Sequence, residues 1–324
     1  MPHAIRFHQT GKPDVLQWES FDPAAPAAGE ARVRHHAVGL NYIDTYHRSG
    51  LYPVPLPSGI GLEGAGVVEA LGDGVDGLKV GDRVAYAGGP LGAYAEVRNI
   101  PADRLVSLPE SISFEQGAAM MLQGLTAQYL LRRTYRVQSG DTILIHAAAG
   151  GVGLMVCQWA KALGATVIGT VGSDEKAEIA RAHGCDHPIV YTRERFAEQV
   201  RSITGGRGVP VVYDSIGADT FMDSLACLRP MGMMVLFGAA SGPVAPFDCG
   251  LLAKMGSLFL TRPTLFTYTA ERADLVEMAA DLFDVVSAGK LKIEINQRYP
   301  LSEAARAHTD LEARLTTGSS ILLP

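Results

Sequence analysis

The chain has 324 residues, of which 47% are apolar and 19% charged, and its formal net charge at pH 7 is −6. At about 150 residues per domain, this length predicts two domains that can each bury an apolar core. The composition excludes a coiled coil and disfavours disorder. Because no run of basic residues is longer than Arg132 and Arg133, nucleic-acid binding is disfavoured as the main function, and a small-molecule partner fits better.

The cysteines and the N-terminal segment indicate where the protein works. The chain has four cysteines and no C-x-x-C pair: Cys157, Cys185, Cys227 and Cys249. This spacing argues against a disulfide framework or a zinc knuckle. Residues 1–16 lack the apolar segment of a secretory signal, so we expect a cytoplasmic protein. Two uncharged runs, 142–160 and 231–247, approach membrane-spanning length but are broken by glycines, and we interpret them as buried strand and turn.

The first third of the chain, to about residue 109, consists of short apolar stretches separated by Gly, Pro and Asp. The alternating runs predict strands at 31–38, 66–70, 82–86 and 93–97. Strands at such spacing are typical of an antiparallel, barrel-like β region.

The pattern changes after Phe114, where strands and helices begin to alternate. A helix at 118–131 leads into predicted strands at 142–146, 165–170, 188–191, 209–215 and 233–237. Helices are predicted between them at 152–163, 175–183, 194–204 and 221–228. This alternation predicts an α/β domain with a doubly wound parallel sheet.

The C-terminal tail predicts a helix at 270–288, a strand at 292–299, a helix at 302–315 and a strand at 319–323. It is too short to form a domain alone, so we expect it to return to the N-terminal β region. The predicted domains are therefore a discontinuous one, 1–122 and 263–324, and an inserted one, 123–262. Two sequential domains are the alternative.

A glycine-rich segment, 146–153 (HAAAGGVG), lies where the first parallel strand meets its helix. Glycines at such a turn let the backbone approach a pyrophosphate, and the helix N-terminus supplies N–H groups and positive potential. Gly153, at the third glycine position, allows close packing of helix and sheet. The strand-turn-helix context favours dinucleotide binding over a turn that serves packing alone.

The end of the second strand indicates which dinucleotide binds. An acidic side chain there would hold the ribose 2′-hydroxyl of NAD. Gly172 and Ser173 occupy that place instead, and Lys176 offers an ammonium group to a 2′-phosphate, so the sequence favours NADPH. Asp174 lies close enough to keep NAD open, and Lys176 could be an ordinary solvated helix residue.

Several motifs make the chain resemble the medium-chain dehydrogenase/reductases, and among them the NADPH-dependent quinone oxidoreductases related to ζ-crystallin. They are 41–46 (NYIDTY), 48–52 (RSGLY), 81–84 (GDRV), 147–153 (AAAGGVG), 160–165 (AKALGA), 212–215 (VYDS) and 318–320 (GSS). The resemblance covers the whole chain. It implies a GroES-like β-rich catalytic domain with a Rossmann cofactor domain, NADPH without flavin, and a homodimer.

The sequence departs from the zinc-dependent alcohol dehydrogenases of that superfamily at two positions. Those relatives carry a Cys ligand three residues before an Asp, and a His within a G-H-E motif. Here Asn41 precedes Asp44, and Leu62 stands between Gly61 and Glu63. A carboxamide and an isobutyl group cannot replace thiolate and imidazole as zinc ligands, so metal-assisted alcohol oxidation is disfavoured.

Without a metal, the chemistry requires an acceptor that its own conjugation already activates. Quinones and α,β-unsaturated carbonyls meet this requirement. Hydrogen bonds from Asn41, Tyr46 or Tyr52 could stabilise the developing oxyanion, and solvent could deliver the proton. The alternative for the two tyrosines is that they only pack.

The resemblance implies further cofactor contacts. Asn41 and Tyr46 would contact the nicotinamide side, Gly151 and Val152 the pyrophosphate, and Tyr129 lies on the helix that enters the cofactor domain. The adenosine-phosphate pocket is assigned to Ser173, Lys176, Tyr191 and Arg314. Backbone contacts to the nicotinamide are implied for Gly238, Ala239, Ala240 and Ser241 and for Pro263, Thr264 and Leu265.

The leading hypothesis is a zinc-independent NADPH:quinone reductase. The main alternative is an NADPH-dependent reductase of alkenals, enones or enoyl thioesters. A third reading, a cofactor-dependent RNA-binding or structural crystallin-like protein, is disfavoured by the acidic balance. The apolar run 257–261 (SLFLT) predicts a sheet edge that could pair across the two-fold axis of a homodimer.

Overall fold

The computed structural model describes residues 1–324. Its β-strands are β1 (His3–Phe7), β2 (Gln17–Ser20), β3 (Glu30–Leu40), β4 (Ser58–Gly59), β5 (Glu63–Leu71), β6 (Arg83–Ala87), β7 (Val97–Pro101), β8 (Val106–Ser107), β9 (Thr142–Ile145), β10 (Thr166–Val171), β11 (His187–Val190), β12 (Val209–Asp214), β13 (Leu228–Leu236), β14 (Phe259–Thr261), β15 (Ile295–Pro300) and β16 (Ser319–Leu323).

Its α-helices are α1 (Tyr42–Ser49), α2 (Phe114–Tyr129), α3 (Gly151–Ala162), α4 (Asp174–Ala182), α5 (Phe196–Ile203), α6 (Phe221–Cys227), α7 (Gly250–Lys254), α8 (Leu265–Tyr268), α9 (Arg272–Ser287) and α10 (Ala304–Glu312). A π-helical turn, Leu130–Thr134, continues α2. Short 3-10 turns occur at Pro13–Val15, Ala102–Arg104 and Leu301–Glu303. No helix is long and apolar enough to cross a membrane.

The chain divides into two compact units. The first comprises Met1–Leu125, Thr269–Ser287 and Ile293–Pro324, and the second comprises Thr126–Tyr268 and Ala288–Lys292. The sequence predicts the joins after residues 122 and 262, a few residues before those of the structure. Residues 288–292 join the second unit, where the Gln158 side chain hydrogen-bonds both the backbone N–H (2.9 Å) and the carbonyl (3.1 Å) of Lys292.

The first unit is built on β-sheets, as the sequence predicts. Its larger sheet has the order β15-β16-β3-β5-β6-β8, with β7 paired to β3, and a smaller sheet has the order β2-β1-β4. All pairs are antiparallel except β15 with β16, which run parallel. The fully buried side chains of Phe7, Val33, Val84 and Tyr86 belong to its core.

One predicted strand of this unit was wrong. The prediction covers 93–97, whereas β7 begins at Val97 and pairs with β3. Residues 93–95 form a single bridge, between Ala4 and Ala95. Ala93 and Tyr94 are fully buried in the core, so they produce the apolar pattern of a strand without forming a ladder.

Helix α1 was not predicted from the pattern of the sequence. It begins directly after β3, where the Asp44 carboxylate accepts a hydrogen bond from the backbone N–H of the N-cap Asn41 (2.9 Å). It ends at Gly50, whose φ of +86° is the left-handed conformation that glycine adopts without steric cost. The helix therefore holds Asn41 at the junction of β3 and α1.

The second unit is the doubly wound domain that the alternation predicts. Its six strands are all parallel, in the order β11-β10-β9-β12-β13-β14. The chain order reverses between β9 and β12, which is the switch point of a Rossmann fold. The side chains of Leu144, Ile168, Val212 and Met234 are fully buried in its core. The uncharged run 142–160 forms β9, the glycine-rich turn and most of α3.

Candidate active site

The glycine-rich turn of the second unit joins β9 to α3. Gly150 is the N-cap of α3, and the first N–H groups of this helix have no partner in a preceding turn. A Cβ on Gly153 would lie 2.2 Å from the carbonyl oxygen of Ala147, so only glycine permits this close approach. Bare backbone and oriented N–H groups fit the pyrophosphate of a dinucleotide.

A buried polar network lies directly beside this turn. The Nδ1 of His146 is 2.8 Å from the hydroxyl of Thr170, and its Nε2 is 2.8 Å from the hydroxyl of Ser224. Ser224 donates to the Asp214 carboxylate (2.9 Å), so the hydroxyl of Ser224 accepts from Nε2–H of His146. Burial lowers the pKa of His146, and the Asp214 charge opposes this effect. The network joins the carboxyl ends of β9, β10 and β12.

Asp214 also fixes the turn after β12. Its Oδ1 accepts hydrogen bonds from the backbone N–H groups of Ile216 (2.7 Å) and Gly217 (3.0 Å), and its Oδ2 accepts one from the hydroxyl of Thr220 (2.7 Å). Because this fully buried carboxylate is satisfied by so many donors, the turn has one well-defined conformation.

The end of β10 carries the residues predicted to select the cofactor. Ser173 is the N-cap of α4, and its hydroxyl accepts a hydrogen bond from the backbone N–H of Lys176 (3.3 Å). The Tyr191 hydroxyl lies over Gly172, at 3.1 Å from the position that a Cβ of this glycine would take. The structure thus brings Gly172, Ser173, Lys176 and Tyr191 together at one edge of the sheet.

The sequence missed a partner of Asp174. The guanidinium group of Arg193 donates two hydrogen bonds of 2.6 Å to the Asp174 carboxylate, and this pairing lowers the pKa of Asp174. The acidic side chain that kept NAD open is therefore neutralised by a fork-to-fork ion pair. No local pattern identifies Arg193, because only the fold places the end of β11 beside the start of α4.

The remaining cofactor-side residues of the second unit follow β13 and β14. Residues 238–241 come after β13, where the Ser241 hydroxyl donates to the carbonyl of Ile216 (2.9 Å). Residues 263–265 come after β14 and lead into α8. Tyr129 ends α2 as a buried side chain, stacked on Tyr268 with ring centroids 4.5 Å apart.

In the first unit, Asn41 belongs to a buried chain of hydrogen bonds. Its Nδ2 donates to Oε2 of Glu63 (2.6 Å), and its Oδ1 accepts from Nε2 of Gln123 (3.2 Å). The Ser319 hydroxyl lies 2.6 Å from Oε1 of Gln123. Burial raises the pKa of the Glu63 carboxyl group to about 8, against the hydrogen bonds from Asn41 and the α2 backbone, which lower it.

A second buried chain ends on Asp44. Tyr94 donates its hydroxyl hydrogen to Oδ2 of Asp44 (2.9 Å) and lies 3.2 Å from Nε2 of His308. Arg48 faces Nδ1 of His308 (3.2 Å) and forms a bidentate ion pair with Glu312. Burial raises the pKa of Asp44 to about 7, and burial together with the Arg48 charge lowers the pKa of His308 to about 3.

The two candidate tyrosines of the first unit form an aromatic cluster. The ring of Tyr46 packs edge-on against those of Tyr42 (centroids 5.6 Å apart) and Tyr52 (5.2 Å). The Tyr52 N–H donates to the carbonyl of Tyr46 (3.0 Å), which holds the segment after α1 against the helix. The structure thus brings Tyr46 and Tyr52 together, while the Asn41 side chain is bonded to Glu63 and Gln123 instead.

Arg314 was predicted to lie on a helix, but in the structure it lies in a turn. The predicted helix, 302–315, begins as a 3-10 turn, and α10 ends at Glu312. Arg314 has a φ of +61° and is exposed in the turn that follows. It belongs to the first unit, whereas Ser173, Lys176 and Tyr191 belong to the second.

The positions that hold zinc ligands in the alcohol dehydrogenases carry other chemistry here. Leu62 is a buried apolar side chain, and the Asn41 carboxamide is bonded to Glu63 and Gln123. No group of three or more His, Cys, Asp or Glu side chains is arranged to hold a metal ion.

Fold and site together define a two-domain, dinucleotide-dependent oxidoreductase. The family model described as "Alcohol dehydrogenase GroES-like domain" matches residues 27–110, and that described as "Zinc-binding dehydrogenase" matches residues 151–284. These matches agree with the predicted GroES-like domain and Rossmann domain.

Curated relatives and solved structures narrow the class. A quinone oxidoreductase of Pseudomonas aeruginosa is 57% identical over 100% of both chains. The crystal structure of Escherichia coli quinone oxidoreductase complexed with NADPH is 51% identical, with a TM-score of 0.98, and covers 99% of this chain and 100% of its own. A 2-haloacrylate reductase of a Burkholderia species is 48% identical over 100% of this chain and 99% of its own. The chain belongs to the quinone oxidoreductases of the medium-chain dehydrogenase/reductase superfamily.

Proposed function

We propose that this protein reduces a quinone by hydride transfer from NADPH, without a metal ion or a flavin. One observation carries the proposal furthest. At the end of β10, Gly172 and Ser173 stand where an NAD-type acid would be, and Arg193 neutralises the neighbouring Asp174. The full-length similarity to quinone oxidoreductases supports the same cofactor and the same class of acceptor.

The cofactor contacts of the second unit follow from its parallel sheet. Gly151 and Val152, at the N-terminus of α3, would bind the pyrophosphate through backbone N–H groups. Lys176 and the hydroxyls of Ser173 and Tyr191 would bind the 2′-phosphate. We assign the segments 238–241 and 263–265, with Tyr129, to the nicotinamide side.

The residues of the first unit would act on the acceptor. NADPH, when bound, supplies the hydride that the conjugated ring of a quinone accepts. Negative charge then develops on the quinone oxygen, and a fixed N–H or O–H donor stabilises it. Asn41 is the first candidate donor because neighbouring side chains hold its carboxamide in place, and Tyr46 and Tyr52 are the others. Solvent would deliver the proton.

The metal-free part of the proposal rests on Asn41 and Leu62. A carboxamide whose nitrogen and oxygen are both bonded within the fold, and an aliphatic side chain, are not zinc ligands. The reaction would therefore depend on an acceptor that needs no Lewis acid, which is what conjugation gives a quinone.

A reductase of activated alkenes is the second candidate. The 2-haloacrylate reductase of Burkholderia supports it, since that relative is 48% identical over the full chain. Quinones and α,β-unsaturated acids or carbonyls share the feature that matters, a conjugated carbon that accepts hydride and an oxygen that gains charge.

The experiment follows the NADPH absorbance band with purified, chelator-treated protein. The acceptors are 1,4-benzoquinone, a larger naphthoquinone, an alkenal and 2-chloroacrylate, and NADH replaces NADPH as the control. Rapid oxidation of NADPH but not of NADH by the quinones is the expected result. Activity confined to the alkenal or the haloacrylate would replace the proposed acceptor.

We also propose a cytoplasmic homodimer. The four free cysteines are consistent with a reducing compartment. Strand β14 lies at the edge of the six-stranded sheet, and Phe259 at its start is 54% exposed, so the open edge could pair with a second copy. Light scattering should give twice 34.4 kDa. A mass of 34.4 kDa alone, for the native chain, would contradict the dimer.

A further inference from the structure

Four side chains of the first unit form a continuous hydrogen-bonded chain that no motif in the sequence indicates. It runs from Ser319 on β16 through Gln123 on α2 and Asn41 at the start of α1 to Glu63 on β5. The three distances are 2.6, 3.2 and 2.6 Å. Every member is buried, with exposed fractions between 0% for Glu63 and 8% for Gln123.

The backbone fixes one end of this chain. The Leu122 N–H donates to Oε1 of Glu63 (2.8 Å), and the Met121 N–H also faces the carboxylate. A Cβ on Gly39 would lie 2.1 Å from Oε2, so the glycine lets the carboxylate lie against β3. Since an ionised carboxylate only accepts, the group that faces Oε2 must be a donor, which is Nδ2 of Asn41.

This end determines the direction of every other bond. With Nδ2 turned towards Glu63, Oδ1 of Asn41 must accept, and Gln123 supplies the donor from Nε2. Oε1 of Gln123 then accepts the hydrogen of Ser319. One of the two Nδ2 hydrogens of Asn41 is bound to Glu63, and the other is left to donate.

We propose that Glu63 is a positioning residue: it sets the direction of this chain and thereby makes Asn41 present an N–H, rather than a carbonyl oxygen, at the position next to Glu63. The inference rests on the proposed function, in which the second Nδ2 hydrogen of Asn41, the one not bound to Glu63, stabilises the oxyanion of the reduced acceptor. Bonding of Gln123 to Oδ1 also polarises the amide and strengthens Nδ2–H as a donor.

The chain has a second self-consistent direction, which Glu63→Gln selects. The Leu122 N–H would hold Oε1 of the new glutamine, so its NH2 group would face Asn41. Oδ1 of Asn41 would then accept, its Nδ2 would turn to Gln123, and Nε2 of Gln123 would donate to Ser319. The Ser319 hydrogen has a second acceptor, the Ala119 carbonyl at 2.9 Å, so all four side chains stay satisfied. The substitution reverses the chain at almost unchanged volume.

The direct test observes the Asn41 amide itself. In protein labelled with 15N-asparagine and held at pH 9, where Glu63 with its pKa of about 8 is ionised, the side-chain NH2 signals of Asn41, assigned by their loss in N41A, are compared between wild type and E63Q. We expect both signals to shift, because the acceptor of Nδ2–H changes from a carboxylate to an amide oxygen. Unchanged signals would overturn the proposal, whatever the activity.

Activity tests the consequence for catalysis. At pH 9, where Glu63 with its pKa of about 8 is ionised in wild type, we expect kcat/KM for 1,4-benzoquinone to fall on the order of 10²-fold in E63Q, as when an oxyanion donor is removed. The Kd of NADPH, measured by fluorescence, should stay within about twofold. E63Q in the N41A background should cause no further loss, since Glu63 acts through Asn41.

Glu63→Asp separates positioning from stability. Aspartate keeps the acceptor but leaves a small void, so E63D should have a lower Tm than E63Q and yet a higher kcat/KM. If E63D has both a lower Tm and a lower kcat/KM than E63Q, the loss of activity follows stability, and the proposal is overturned. If N41A itself has wild-type kcat/KM, the proposed role of Asn41 fails, and the NMR comparison still decides whether Glu63 sets the direction of the chain.

The pH profile gives a further readout, because a proton on Glu63 would reverse the chain as glutamine does. The titratable side chains that face Glu63 are Asp44 on α1, Tyr86 on β6 and Tyr94 in the segment before β7. Wild-type kcat/KM should rise with pH as Glu63 ionises, through a pKa of about 8. E63Q should lack this step, and retention of the step in E63Q would contradict the assignment.

Discussion

The two units organise their polar residues in different ways. In the second unit, the candidate cofactor residues other than Tyr129, which ends α2, follow the carboxyl ends of β9, β10, β11, β13 and β14 and lie within a few residues of a strand end. In the first unit, Asn41, Glu63, Gln123 and Ser319 come from four distant segments, and each depends on the others for its orientation. The cofactor residues of the second unit can therefore be recognised from short segments of sequence. The hydrogen-bonded side chains of the first unit come together only when the chain folds.

The largest expected effect concerns the glycine-rich turn of the second unit. Gly153→Ala should raise the Kd of NADPH on the order of 10²-fold or more, because its Cβ would lie 2.2 Å from the Ala147 carbonyl oxygen and displace the turn. Gly150→Ala is the matched control in the same turn, since its Cβ would lie 3.3 Å from the same atom. Fluorescence titration measures both. Equal affinities for the two variants would show that the close approach at Gly153 does not shape the site.

The second effect concerns the buried Asp44 of the first unit and the change of protein stability with pH. Folding raises the pKa of Asp44 from 3.8 to about 7, so the folded state binds the proton more tightly. This contribution to stability is present at low pH and is lost as pH rises towards 7. Asp44→Asn removes it. Between pH 7 and pH 5, D44N should therefore lose about 2 kcal/mol more of its unfolding free energy than wild type does.

Two buried histidines also affect how the unfolding free energies of wild type and D44N change with pH. Burial lowers the pKa of His35 to about 4 and that of His308 to about 3, so protonation of the unfolded chain destabilises the protein as pH falls below 6.5. In wild type, the gain from Asp44 offsets part of this loss. Urea unfolding at the two pH values measures it, and parallel changes in wild type and D44N would contradict the origin assigned to the Asp44 shift.

The smallest effect concerns the cofactor choice. Arg193→Gln leaves Asp174 unpaired beside the proposed 2′-phosphate pocket, so KM for NADPH should rise about tenfold while KM for NADH changes little. D174N/R193Q should recover most of the loss, because no unpaired carboxylate remains. Arg195→Gln is the matched control, since the side chain of Arg195 is 80% exposed and pairs with Glu198 instead. Equal rises for NADPH and NADH would rule out charge compensation.

The sequence predicts the second unit almost element by element. Alternating apolar strands and helices are local signals, and the glycine turn identifies the dinucleotide site because its chemistry lies in adjacent residues. The elements of the first unit are predicted less completely from the sequence. Its sheet character is predicted, but α1 is missed, and the strand predicted at 93–97 is displaced because the buried Tyr94 imitates a strand residue.

The residues of the candidate site also differ in whether the sequence alone identifies them. Gly151, Ser173 and Lys176 are identified from motif spacing, whereas Arg193 and Glu63 acquire their roles through partners far away in the sequence. Glu63 stands in the G-L-E segment, next to a missing zinc ligand, and nothing local indicates that its carboxylate orients Asn41. Hydrogen-bond direction is a property of the whole chain of donors and acceptors, so no single residue of the chain reveals it.

The central claim is hydride transfer from NADPH to a quinone with no metal ion. The most direct test is a single-turnover reaction in metal-free buffer, with NADPH carrying deuterium at the transferred position and 1,4-benzoquinone as the acceptor. We expect the labelled cofactor to react several-fold more slowly than unlabelled NADPH, because the C–D bond breaks in the hydride-transfer step, and neither chelator nor added Zn2+ should change the rate. Hydroquinone formation that requires added Zn2+, or equal rates with labelled and unlabelled NADPH, would contradict the account.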